Sequence, residues 1–227
     1  MKKKKYKPQF IVLWKKDNII YSMNKTKKYL LIASLVFLLF LYFNQKKNDM
    51  VVYIPEFLDN GDYQQILSLN NNKDNFMYES FRYAKPLTDK VIYDIFYNQK
   101  YMNKIQPFLN HKVYPSKFPI EHRIYSTDSP GMRWHKDLLM YKKPQYEAIF
   151  TLRNTTKSVT EWKDENNKLN KKWTEPNSLL IVKANGYEHH VTPPQEGERE
   201  ILKLIYTQTH GINSNFTKEM ERFKSKY

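Results

Sequence analysis

The 227-residue chain contains no cysteine. That excludes a disulfide framework, a cysteine-ligated zinc site and a thiol nucleophile. Glycine is scarce, at five residues, so each marks a backbone position worth locating. Acidic residues are outnumbered, 23 Asp and Glu against 38 Lys and Arg, for a formal charge of +15. Such an excess invites a nucleic-acid reading, but its distribution argues against one. Residues 1–50 carry twelve Lys and two Asp, a balance of +10, which leaves +5 for the other 177 residues. Hydrophobic residues make up 41% and aromatics 15%. That is enough apolar surface for a core, and wholesale disorder is excluded. No internal repeat is present.

The basic excess surrounds one hydrophobic run. Residues 29–43 read YLLIASLVFLLFLYF, fifteen positions without a charge. As a helix the run spans about 22 Å, against roughly 30 Å of hydrocarbon. Lys25, Lys27 and Lys28 precede it and Lys46 and Lys47 follow, and their stems extend the apolar span by snorkelling. Tyr29, Tyr42 and Phe43 stand where interfacial aromatics belong. A core helix would show a polar face, and a cleaved signal peptide would end in small residues; neither feature is present. The run is read as an uncleaved signal anchor. Ten Lys lie before it and two in the twenty residues after it, which predicts a cytoplasmic N-terminus and a lumenal remainder. Two sequons, at Asn154 and Asn215, fall on the lumenal side and mark the topology.

Beyond the run, 50–54 is strand-prone and 63–69 reads as a short helix after the turn at Asp59-Asn60-Gly61-Asp62. A polar loop covers 70–75. Apolar residues at helical spacing over 88–109 predict two helices broken near Asn98. From Pro119 onward short β-rich runs follow at 120–126, 132–135, 146–152, 169–173, 178–182, 189–192 and 201–208. Helices first and strands afterwards predict an α+β, mainly β domain: a helical support against an antiparallel sandwich or jelly roll. The tail after Thr209 is polar and suited to a short helix.

Three groups carry candidate chemistry. In His135-Lys136-Asp137, positions i and i+2 of a strand share a face, so an imidazole and a carboxylate can grip one metal. A later histidine pair, His189-His190, offers a third ligand, completing a two-His, one-carboxylate set that leaves open positions on Fe(II). Arg199 stands nine residues after His190, and a guanidinium in an apolar barrel suits a two-pronged grip on a carboxylate.

These motifs together resemble the prolyl 4-hydroxylase-like branch of the 2-oxoglutarate/Fe(II)-dependent dioxygenases. That family shows an H-x-D, a distal His, and an Arg or Lys nine or ten residues beyond it. It also has a Tyr ten residues before the first His with a Gly between, as Tyr125 and Gly131 stand here. The stretch from His190 through Val191, Pro193 and Gly197 to Arg199 is similar to the family's H-x-V-x-P…G-x-R run. The segment from Val52 to Leu58 is similar to the opening strand of such domains, and Glu161-Trp162 and 177–182 fall where the family has mid-barrel strands. Ser178 departs from a Gly common in relatives, and Met132-Arg133-Trp134 departs from the usual residues before the H-x-D. Both bear on substrate choice more than on catalysis.

The resemblance implies a double-stranded β-helix over 51–210, preceded by a basic cytoplasmic segment (1–28), the transmembrane anchor (29–43) and a linker (44–50), and followed by a polar tail (211–227). It implies iron on His135, Asp137 and His190, and Arg199 and Tyr125 on the distal carboxylate of 2-oxoglutarate, with Thr192 lining the same pocket. His189, ten residues before Arg199, is the rival distal ligand, and only one of the two can face inward. The expected cofactors are Fe(II), the co-substrate 2-oxoglutarate and O2, with ascorbate as an accessory reductant. The expected reaction is hydroxylation of a C–H, with a prolyl or lysyl residue of a protein leading as substrate. The expected setting is a single-pass type II membrane protein of an endoplasmic-reticulum-like lumen, with no nucleic-acid partner. The alternative is a membrane-tethered jelly-roll binding module without turnover.

Overall fold

A computed structural model describes residues 25–44, 48–69 and 73–225, the side chains of 39–44 excepted. The described residues fall into two units divided between residues 46 and 47. The first holds one helix, α1 (Lys25–Asn44), which contains the apolar run. Its Tyr29, Leu30, Phe37 and Leu38 are exposed. Among the described residues no helix is long and apolar enough to cross a membrane. The basic segment up to residue 24 and positions 45–47 of the linker lie outside the described residues.

The second unit begins with β1 (Val51–Ile54) and α2 (Asn60–Leu67). A hairpin follows, β2 (Met77–Glu79) and β3 (Arg82–Leu87), and then α3 (Lys90–Phe96) and α4 (Gln99–Ile105). The break between these helices falls at Asn98, whose side chain caps α4 by accepting from the Tyr101 N–H. Asp59 and Asp89 cap α2 and α3 in the same way, each satisfying a helix-end donor that would otherwise be orphaned.

The β region supplies β4 (Tyr114–Pro115), β5 (Ile120–Tyr125), β6 (Met132–His135), β7 (Tyr146–Asn154) and β8 (Thr160–Lys163). It continues with β9 (Leu169–Lys172), β10 (Ser178–Lys183), β11 (His189–Val191) and β12 (Arg199–Thr207). A closing helix, α5 (Ser214–Lys224), occupies the polar tail. The strands form two antiparallel sheets. The larger runs β1-β10-β7-β12-β5-β3-β2, with β4 on β12, and the smaller runs β6-β11-β8-β9.

Period-two alternation gives the large sheet two buried faces. One face, with Tyr146, Ala148, Phe150, Leu152, Leu179, Ile181, Leu202 and Leu204, packs on Phe57, Ile66, Ile92, Phe96 and Ile105 from the helical layer. The opposite face, with Ile149, Leu180, Val182 and Ile201, shares a cavity with residues of the small sheet. A second apolar cluster seats α5, where Phe216 and Phe223 meet Phe118, Met140, Tyr141 and Ile205. Two packed sheets over a helical layer make the jelly roll expected from the order of elements.

Candidate metal and co-substrate site

The site begins with an irregularity in β6. His135 stands opposite His189 and Met132 opposite Val191, with a register shift between the two pairs. Such a bulge re-aims side chains, so Met132 and His135, three apart, both line the cavity. Gly131 makes this close approach possible. Its φ is +73°, and a Cβ there would lie 2.1 Å from the Val191 carbonyl oxygen.

His135, Asp137 and His189 form one cluster, with their ligand atoms within 4.8 Å of one another. The Nε2 atoms of His135 and His189 lie 3.7 Å and 3.5 Å from the two Asp137 carboxylate oxygens. Ligands about 2.1 Å from one ion and at right angles sit about 3 Å apart, so a small closure brings these atoms to the spacing of ligands on one ion. Both rings are oriented by their other nitrogen. The Nδ1–H of His135 donates to the Arg133 carbonyl at 2.7 Å, and that of His189 to the Tyr187 carbonyl at 3.2 Å. This is the outer support that fixes the tautomer of a ligating imidazole.

The electrostatics of His189 and Asp137 suit a metal site, and that of His135 opposes one. Burial pushes the His189 imidazole down, toward the neutral form a metal requires. Burial opposes ionisation of Asp137, yet the facing histidines and Lys203 hold its carboxyl below the ordinary range. His135 is raised, chiefly by its hydrogen bond to Asp137.

The histidine that joins His135 and Asp137 is therefore His189, not His190 as read from the spacing to Arg199. Adjacent strand residues face opposite sides, and His190 faces out. Its Nε2 contacts Glu161 at 2.8 Å, and its ring lies 4.1 Å from that of Trp134. Thr192 also departs from the sequence reading. Its hydroxyl oxygen accepts from the Val159 N–H at 2.9 Å, tying β11 to the start of β8, and it is not among the cavity-lining residues.

Arg199 and Tyr125 face each other across β12 and β5, and both line the cavity. Arg199 is 5% exposed. One guanidinium nitrogen donates to the Thr174 hydroxyl at 3.2 Å, while its buried Nε meets no partner. Burial lowers this guanidinium's affinity for its proton, with only Tyr125 opposing that effect.

Sequence reasoning missed the remaining charges in the cavity. Arg123 is held by both Glu121 oxygens at 2.8 and 2.9 Å, and Lys203 by Glu147 at 2.6 Å. Of the three cavity-lining cations, two are thus neutralised, and Arg199 has no acidic partner among the described residues. Charged residues inside largely apolar strands, Glu147 in β7 and Lys203 in β12, were the available signal.

No protein-family model matches the sequence, and no curated protein does. Solved structures do match. An oxidoreductase of the 2OG-Fe(II) oxygenase family from Burkholderia pseudomallei superposes with a TM-score of 0.61 at 12% identity, covering 73% of this chain and 88% of that one. A prolyl hydroxylase from Trichoplax adhaerens, in complex with a hypoxia-inducible-factor peptide, gives 0.57 at 13%, covering 82% and 96%. HygX from Streptomyces hygroscopicus, with nickel and 2-oxoglutarate bound, gives 0.53 at 11%, covering 75% and 86%.

The fold is that of the 2-oxoglutarate/Fe(II) oxygenases.

Within this oxygenase fold the facial triad is His135, Asp137 and His189. Two neutral imidazoles and one carboxylate are the donor set suited to non-haem Fe(II) with open positions. The orphaned Nε of Arg199 fits the carboxylate of a diacid co-substrate. The residues present thus fit both groups.

Proposed function

We propose that the chain is a 2-oxoglutarate/Fe(II)-dependent dioxygenase that hydroxylates a C–H of its substrate. The observation that carries this reading is the convergence of His135, Asp137 and His189 in a cavity that also holds an acid-free buried guanidinium, Arg199. Fe(II) on the triad, with 2-oxoglutarate and O2, supplies the oxidising power. The protein supplies the geometry.

Arg199 and Tyr125, facing each other in the cavity, would hold the distal carboxylate of 2-oxoglutarate. The Nδ1–H bonds of His135 and His189 keep both Nε2 lone pairs aimed at one point. Met132, Ile149, Leu180, Val182, Val191 and Ile201 line the chamber between and exclude water from a reactive centre.

A prolyl or lysyl residue of a protein is the proposed substrate. The fold's likeness to a prolyl hydroxylase in complex with a peptide supports it. Membrane attachment through residues 29–43, with the catalytic unit in the lumen, belongs to the same proposal. Its support is the uncharged run, the lysines on both sides of it, and the exposed apolar side chains of α1.

Anaerobic titration of the full chain with Fe(II) and then 2-oxoglutarate tests the reading through the visible charge-transfer band of the chelate. Wild type is expected to show the band, and D137A and H189A to lack it. R199Q is expected to bind 2-oxoglutarate about 100-fold more weakly or worse, as for loss of one side of a buried charge pair. A band that survives in D137A rejects the ligand assignment. Succinate release on addition of proline- or lysine-containing peptides tests the substrate class, and alkaline extraction of membranes tests attachment.

A further inference from the structure

The cavity holds a carboxylate that the triad does not use. Glu147 projects from β7 into the same chamber as His135, Asp137 and His189. Its oxygens stand outside the cluster of ligand atoms, but its charge is felt at His135 and it feels that of Asp137. A divalent cation on the triad attracts any carboxylate within reach, and a fourth protein ligand would occupy a position that the co-substrate needs. One contact holds Glu147 back, the 2.6 Å ion pair with Lys203 of β12. Lys203 stands opposite Ile149 of β7 and opposite Glu121 of β5. Glu121 is already engaged by Arg123, which leaves the Lys203 ammonium to Glu147.

We propose that Lys203 is a positioning residue whose ion pair withholds Glu147 from the metal and so keeps the co-substrate's coordination positions open. This rests on the Fe(II)/2-oxoglutarate reading above. In the absence of Lys203, Glu147 loses its partner inside a chamber whose strongest alternative cation is the metal. Fe(II) then stays bound, with more protein ligands, while 2-oxoglutarate has to displace a carboxylate to chelate it. The two affinities therefore move apart, which a general loss of structure cannot produce.

The experiment uses the detergent-solubilised full chain under anaerobic conditions. Fe(II) is measured by equilibrium dialysis, and 2-oxoglutarate by the charge-transfer band. For K203M the expected result is retention of Fe(II) with 2-oxoglutarate binding about 10–100-fold weaker, the usual span for loss of a group that supports metal ligands. The double variant K203M/E147Q is expected to recover 2-oxoglutarate binding. Wild-type 2-oxoglutarate affinity in folded K203M overturns the proposal, as does a double variant no better than K203M, or joint loss of Fe(II) and 2-oxoglutarate from folded K203M. Should circular dichroism show K203M unfolded, K203Q replaces it. Its amide holds Glu147 by a neutral hydrogen bond, an intermediate affinity is expected, and identity with wild type overturns the proposal. Failure of wild type itself to bind Fe(II) overturns the function reading, and is distinguished by needing no variant.

Discussion

Two neighbouring histidines divide between the faces of one short strand. His189 turns inward to Asp137, and His190 outward to Glu161 and Trp134. H190A is therefore expected to keep Fe(II) and the charge-transfer band, at a cost to stability of about 1 kcal/mol or less, where H189A loses both. The imidazole–carboxylate motif at His135 and Asp137 was legible in the sequence because i and i+2 must share a face. The choice between His189 and His190 was not legible, because a spacing of nine or ten to Arg199 fits either and only the register of β11 decides. Metal affinity should also fall on acidification. The raised pKa of His135 means that a proton competes for its Nε2 at and above pH 6.5. Fe(II) affinity measured by dialysis is thus expected to rise with pH through the range in which this imidazole loses its proton, above that of an ordinary histidine. A second titration belongs to the fold. Buried His122 contacts Glu200 at 2.7 Å, and burial holds the imidazole below its usual 6.5. For a group with a depressed folded value, stability is present above the unfolded value and is lost as pH falls. Glu200 is likewise held below 4.5, burial being outweighed by His122 and Arg153. The denaturation midpoint is expected to fall below about pH 6.5, and less steeply in H122Q.

At the scale of elements, the strands whose faces are both buried announced themselves as runs rich in apolar residues, unbroken in β10 and interrupted by charges in β7 and β12, and all three lie within two residues of the ranges read from sequence. The break at Asn98 was legible because Asn is a good cap. The hairpin β2–β3 was missed for identifiable reasons. Its turn places Ser80 and Phe81 at positive φ, where Asn-Gly or Asp-Gly would have been the signal. Pro86 in β3 argues against a strand by ordinary rules, yet Pro86 pairs in register with Glu121. Phe216 and Phe223 of α5, one near each end of a polar segment, are both buried. F223A is expected to destabilise the catalytic unit by about 3 kcal/mol, read from chemical denaturation. Gly131 joins element to site. G131A forces a side chain onto the Val191 carbonyl in a left-handed conformation, and is expected to cost at least about 2 kcal/mol and to weaken Fe(II) binding with it.

For the whole molecule, the charge divides as the chain does. Most of the basic excess lies in the first fifty residues, outside the unit that holds the site. Removing residues 1–46 is expected to move the protein from the membrane pellet to the supernatant while leaving the charge-transfer band intact. Persistence in the pellet would count against residues 29–43 as the attachment.

The sequon at Asn154 gains a different meaning from its surroundings. Its Nδ2 donates to the Thr174 carbonyl, its Oδ1 accepts from Thr156, and the residue is 7% exposed within β7. An oligosaccharide cannot be added to an amide sealed into a finished sheet. In a lumenal chain, sugar at Asn154 would thus record a contest between the transferase and the closing of β7, and a heavier band would count the molecules in which folding came second.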